Sequence, residues 1–135
     1  MTRAFADTSV FVAFLNPKDR HRESAVALLS QSAGRILTTE WVLAELGNYL
    51  SARSNRGLFV PFAFARSLAG DERFEIVAAS PGQFEEGCAL FDSRQDKEWS
   101  LTDCLSMVLM RQRGLTEVMT CDHHFEQAGF TILLK

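Results

Sequence analysis

No C-x-x-C pair occurs in the 135 residues, and the three cysteines, Cys88, Cys104 and Cys121, are odd in number and widely spaced. That excludes a disulfide framework and fits a reducing, cytoplasmic setting. A basic excess is also missing. Fourteen Lys and Arg stand against seventeen Asp and Glu, a net charge of −3, so total charge does not advertise a nucleic-acid partner. Nor is there an apolar run able to span a membrane. "AFADTSVFVAFL" is too short and is broken by Asp7. One preceding Arg and no convincing cleavage site argue against a signal peptide. Repeats, linkers and low-complexity stretches are absent, so residues 1–135 read as one domain. Its 47% apolar content is ordinary for a globular core.

What is present is alternation. Apolar runs at 3–6, 35–38, 74–79, 116–120 and 130–134 read as five strands separated by helical patterns. "DTS" turns the first strand into a helix that Asn16-Pro17 stops after Leu15. Residues 21–31 form an amphipathic helix, with Gly34 as its C-cap. Thr39 caps a helix reaching about Arg53, and "SNRG" (54–57) is a turn. Residues 58–70 form another helix, with Pro61 near its start and Gly70 past its end. Pro81-Gly82 lead into a helix to about Phe91, and "SRQDKEW" (93–99) is a polar loop. A helix runs from Leu101 to Gly114, and "DHHFEQAG" is a short helix closed by Gly129. Strands alternating with helices predict an α/β fold, a three-layer α/β/α sandwich on a mostly parallel sheet of about five strands. Ligands of such sheets collect at the carboxyl ends of the strands, near the topological switch point. Residues that follow a strand, or open the helix before the next one, lie on that edge.

Four carboxylates belong there. Asp7 follows the first strand and Asp122 the fourth, each where a helix N-cap would sit. Thr8 or Ser9 could cap the first helix, so that cap does not require Asp7. Asp103, in "SLTDCLS", fits a capping box with Ser100 as N-cap, at a position the helix dipole also favours. Glu45 lies inside "TEWVLAELGNYL", on the flank of a stripe formed by Val42, Leu43, Leu46, Tyr49 and Leu50. Four residues on, where an exposed helix would offer Lys or Arg, stands Tyr49. A carboxylate beside a buried face needs a partner or a metal. Acids gathered on one edge repel, and some protonate unless a cation is present. An all-oxygen cluster suits Mg²⁺ or Mn²⁺, and a carboxylate-bound divalent ion suits phosphodiester hydrolysis. Seventeen acidic residues less these four leave thirteen, against fourteen basic ones. The basic stretches "KDRHR" (18–22), "ARSNR" (52–56) and "MRQR" (110–113) read first as solvated loops and helix faces, and second as patches that steer a polyanion.

Together these stretches resemble a known family. "FADTSVF", the mid-helix Glu of "TTEWVLAELGNYL", "WSLTDCLS" and "VMTCDHHFEQAGF" are similar, in order and on a βα framework, to the four acidic signatures of PIN-domain nucleases. The likeness covers nearly the whole chain, in the style of the VapC-type toxins of bacterial toxin–antitoxin pairs. It implies that Asp7, Glu45, Asp103 and Asp122 form a catalytic site binding Mg²⁺ or Mn²⁺. Ser9, Thr102 and Thr120 would support it with hydroxyls that orient the ligands. The implied reaction is endonucleolytic cleavage of RNA by metal-activated water, leaving a 5′-phosphate and a 3′-hydroxyl. The implied partners are a second copy in a homodimer and an antitoxin whose C-terminal segment lies over the active site.

Other readings of the same residues compete. His123 and His124 suggest zinc, but neighbouring residues rarely share one tetrahedral site and no H-x₃-H pair supports it. They read instead as surface residues near the site. Phe59, Phe62 and Phe64 read first as core, and second as a groove for an antitoxin helix. Arg20, Arg94 and Lys97 are candidates for RNA contact. At the level of function, the alternatives are a housekeeping PIN nuclease acting on RNA precursors and a non-catalytic binding module that keeps its acids as caps. A phosphoryl-transfer receiver is discounted, because "FADTS" has one acid and Ala78-Ala79-Ser80 follow the third strand.

Overall fold

A computed structural model describes residues 2–31, 34–52 and 55–135. In chain order its elements are β1 (Thr2–Ala6), α1 (Thr8–Leu15), α2 (Arg22–Ser30), β2 (Arg35–Thr39), α3 (Glu40–Tyr49), α4 (Pro61–Ala69) and β3 (Phe74–Val77). Then come α5 (Pro81–Ser93), α6 (Leu101–Gln112), β4 (Glu117–Met119), α7 (His123–Gln127) and β5 (Thr131–Ile132). The strands form one sheet in the order β3-β2-β1-β4-β5, and every pairing is parallel. The chain builds outward from β1 to β3, then returns to the other side of β1. Right-handed crossovers therefore place α1–α4 on one face and α5–α7 on the other. The reversal falls between β1 and β4, where their carboxyl ends open a crevice.

Burial explains the strand sequences. Ile36, Leu37, Thr38 and Thr39 of β2 are all buried, as expected of a strand covered on both faces. Thr38 is tolerated because its hydroxyl donates to the Ala6 carbonyl at 2.9 Å. Phe5, Phe11, Val42, Leu46, Met107, Met110, Met119 and Phe125 fill the core. Gly87 lets α5 lie directly on α6, since a Cβ there would stand 2.7 Å from Leu105 Cγ. Among the described residues no helix is long and apolar enough to cross a membrane.

Several expected boundaries move, each for a local reason. The helix expected over 58–70 begins at Pro61. Val60 is extended because the α region is disfavoured for the residue before proline, and Phe59 is extended ahead of it. Leu58 instead ends a single 3₁₀ turn, Arg56–Leu58. The helix expected to reach about Arg53 ends at Tyr49, and Arg53 itself, with Ser54, lies outside the described residues. Gly34 is not a C-cap. Gln31 caps α2 in an extended conformation, and Gly34, with φ +85°, serves the entry to β2. Gly114 does end its helix, with φ +68° allowing Leu115 N–H to reach the Met110 carbonyl. Tyr49, placed on the buried stripe of α3, is 63% exposed, whereas Leu46 and Leu50 are buried as expected. Phe59 is core and Phe64 stacks edge-on against Phe11 and Phe59, but Phe62 is 74% exposed.

Candidate active site

The crevice between β1 and β4 holds a cavity of about 380 Å³. Asp7 enters it from the end of β1, Glu45 from the middle of α3, Asp103 from the first turn of α6, and Asp122 from the segment after β4. All four expected carboxylates are therefore brought together, from four separate segments. A larger apolar groove of about 1110 Å³, lined by Leu43, Gly47, Phe59, Phe62 and Ala65 among others, contains none of them.

Each acid is held differently. Asp7 occupies the N-cap position of α1, yet its side chain makes no capping bond. Its Oδ2 instead accepts from the Thr120 hydroxyl at 2.9 Å, while Oδ1 is buried with no hydrogen-bond partner. Thr120 gives its one proton to Asp7, so Ser9 donates to Thr120 at 2.8 Å and accepts from Cys121 N–H at 3.2 Å. The Thr120 oxygen also accepts from Asp122 N–H at 3.1 Å. One hydroxyl relay thus ties the end of β1 to the segment carrying Asp122. Glu45 accepts from Thr8 at 2.5 Å, so Thr8 orients Glu45 and does not cap α1. Asp103 closes the expected capping box. It accepts from Ser100 N–H, and its own N–H donates to the Ser100 hydroxyl, both at 3.0 Å. Asp122 is a true N-cap, accepting from His124 N–H at 2.9 Å. Ser9 lines the cavity and Thr120 supports it from below, but Thr102, half-buried on α6, does not line it.

The charges are uncomfortable. Burial, then the neighbouring Asp103, raise the Asp7 pKa from 3.8 to about 7, and Glu45 adds to this. Burial also raises the pKa of Asp103, with Asp122 contributing; the Ser100 N–H and His124 oppose the rise. Carboxyls crowded this way on one cavity wall repel one another and resist ionisation.

His124, which the sequence places near the site alongside His123, lines the cavity. It is not a surface residue: only 20% of its side chain is exposed, and Nδ1 lies 3.1 Å from Asp103 Oδ2 and 3.3 Å from Asp122 Oδ1. His123 does face solvent, at 71%. The signal in the sequence was Phe125, a buried anchor that pulls one flanking histidine inward, though "DHHF" does not say which. Asp19 and His21 also line the cavity, from the loop before α2. Arg20 is exposed beside them, whereas Arg94 pairs with Asp96 and lies over Trp99, and Lys97 faces the same Asp96.

A family model for the PIN domain matches residues 4–131. The chain belongs to the PIN-domain family. It is 31% identical over 127 residues to the 23S rRNA-specific endonuclease VapC20 of Mycobacterium tuberculosis, covering 93% of this chain and 94% of that protein. The crystal structure of Mycobacterium tuberculosis VapC20, described as a sarcin–ricin loop cleaving toxin, superposes with a TM-score of 0.82 at 23% identity. It covers 95% of this chain and 96% of that one. DNA-bound VapBC from Salmonella typhimurium matches with a TM-score of 0.64 at 16% identity, over 98% and 97% of the two chains. FitAcB from Neisseria gonorrhoeae matches at 0.63 and 20%, over 96% of each. These structures share the fold of this PIN domain.

Proposed function

We propose that this PIN domain is a divalent-metal-dependent endoribonuclease, the toxin of a toxin–antitoxin pair. The observation that carries the reading is Asp7 Oδ1, a buried carboxylate oxygen without a partner, in a cavity that three further carboxylates line. A divalent cation satisfies that atom and offsets the mutual repulsion of the four acids, so the donor set fits Mg²⁺ or Mn²⁺. Asp7, Glu45, Asp103 and Asp122 would hold the ion, which supplies a water acidic enough to attack phosphorus and a positive charge for the leaving oxygen. The chain's own contribution is preorganisation. Thr120 fixes Asp7, Thr8 fixes Glu45, Ser100 fixes Asp103, and the first turn of α7 fixes Asp122. Groups locked this way need no rearrangement when substrate arrives.

RNA as substrate is supported by the relationship to VapC20, and a sarcin–ricin loop RNA is the first substrate to try. An antitoxin is supported by the fold shared with VapBC and FitAcB. The apolar groove, with Phe62 and Val60 exposed on its wall, is the surface this reading gives to a protein partner. The test is a calorimetric Mn²⁺ titration of the wild type and Asp103→Asn, followed by cleavage of the loop RNA. Binding and cleavage by the wild type, with both lost in the variant, are expected. A wild type that binds no Mn²⁺ when free of any inhibitor overturns the reading in favour of a non-catalytic module.

A further inference from the structure

We infer that His124 is itself a metal ligand, so that the site presents one nitrogen donor among its oxygens and favours Mn²⁺ over Mg²⁺. The inference rests on the metal site proposed above and adds a donor to it. The ligand atoms of Asp103, Asp122 and His124 all lie within 4.8 Å of one another. The Nδ1 separations of 3.1 and 3.3 Å are close to the roughly 3 Å between adjacent donors around an octahedral ion with bonds of about 2.1 Å. A single Nδ1 proton cannot serve both carboxylates well, and Asp103 Oδ2 already accepts from Ser100 N–H. An ion in place of that shared proton satisfies all three side chains at once. The second observation is Asp7 Oδ1, buried and unpartnered on the same cavity.

The histidine is well placed to be a ligand and poorly placed to be anything mobile. Its backbone N–H is tied to Asp122 Oδ1, and the next residue, Phe125, is fully buried. Ligation through Nδ1 requires the tautomer that keeps its proton on Nε2, leaving the Nδ1 lone pair for the ion. Imidazole is a softer donor than carboxylate. It suits first-row transition ions and gives little to Mg²⁺, which prefers an all-oxygen shell.

The test is electron spin-echo spectroscopy of the Mn²⁺-loaded protein, which reports nitrogen bonded to the ion. Directly coupled ¹⁴N is expected, and should convert to a ¹⁵N pattern when only the histidines carry ¹⁵N. The chain has three histidines, so the signal should survive in the double variant His21→Ala, His123→Ala and vanish in His124→Ala. In parallel, His124→Ala should weaken Mn²⁺ binding about tenfold or more while changing Mg²⁺ binding much less. The wild-type labelling experiment needs no variant to fold. Mn²⁺ bound without nitrogen coupling overturns this inference and leaves the acidic site standing. No Mn²⁺ binding at all overturns both.

Discussion

Asp7→Asn should make the metal-free protein more stable while destroying its activity. The wild-type carboxyl has its pKa raised from 3.8 to about 7, by burial first and by Asp103 second. Between pH 4 and 7 the folded chain therefore holds a proton that the unfolded chain has released. Stability falls as pH rises across that window, and above pH 7 the full cost is present. At about 1.4 kcal/mol per pH unit of displacement, the cost approaches roughly 4 kcal/mol. Asparagine removes it without changing shape. Its carbonyl can accept from the Thr120 hydroxyl, and its amide stands where Oδ1 now lacks a partner, as a donor among carboxylates. For a chain this size about 3–4 °C of melting temperature corresponds to each kcal/mol, so a rise of roughly 12–16 °C is expected at pH 8. Little difference is expected near pH 4, where wild-type Asp7 is already protonated. The assay is thermal melting in chelator from pH 4 to 8, repeated with Mn²⁺. Added Mn²⁺ should raise the wild type at pH 8 and leave the variant nearly unmoved. A variant that melts at or below the wild type at pH 8 in chelator refutes the account of crowded carboxylates.

Three further outcomes follow from packing and hydrogen bonding. Asp103→Asn keeps an acceptor for Ser100 N–H, so its folding stability should stay within about 1 kcal/mol of wild type in urea titrations, even as Mn²⁺ binding is lost. Thr120→Val strands Asp122 N–H and Asp7 Oδ2 together and should cost about 2–3 kcal/mol, with Thr120→Ser recovering most of it. Gly87→Ala sets a methyl against Leu105 Cγ and, despite alanine's better helix propensity, should destabilise by about 1–3 kcal/mol; adding Leu105→Ala should yield a coupling of opposite sign in a double-mutant cycle.

The sheet, its parallel sense and the edge holding the acids were legible because strand burial and strand–helix alternation are written locally, in runs such as "RILTT" and "FEIV". The helix start at Pro61 is written locally too, in the restriction that proline places on Val60. Strand order was not legible, since nothing in the chain says that β4 returns beside β1. The geometry that gives each acid its character was equally hidden. Thr120 meets Asp7 across 113 positions of sequence, and Thr8 meets Glu45 across 37. His123 and His124 read alike as surface residues near the site, because a five-residue helix is too short for periodicity to choose between adjacent histidines.

A capping role for Asp103 in "SLTDCLS" does not exclude a ligand role. The Ser100 N–H and His124 Nδ1 both contact Asp103 Oδ2, and the reciprocal bond runs from the Asp103 backbone to the Ser100 hydroxyl. No bond of the box falls on Oδ1. The cap therefore fixes the rotamer of the carboxylate and holds Oδ2 at 3.1 Å from His124 Nδ1. Asp122 is held by the same device, its Oδ1 bound to His124 N–H at the start of α7. Each cap converts a side chain free to rotate about two bonds into one whose position is set by a helix end. A helix end is in turn set by the sheet on which it packs. Capping is how rigidity of the fold reaches the site. It follows that Ser100→Ala, which touches no reacting group, should weaken Mn²⁺ binding severalfold as well as costing about 1 kcal/mol of stability. Loss of stability with Mn²⁺ affinity unchanged would show that the box serves the helix alone.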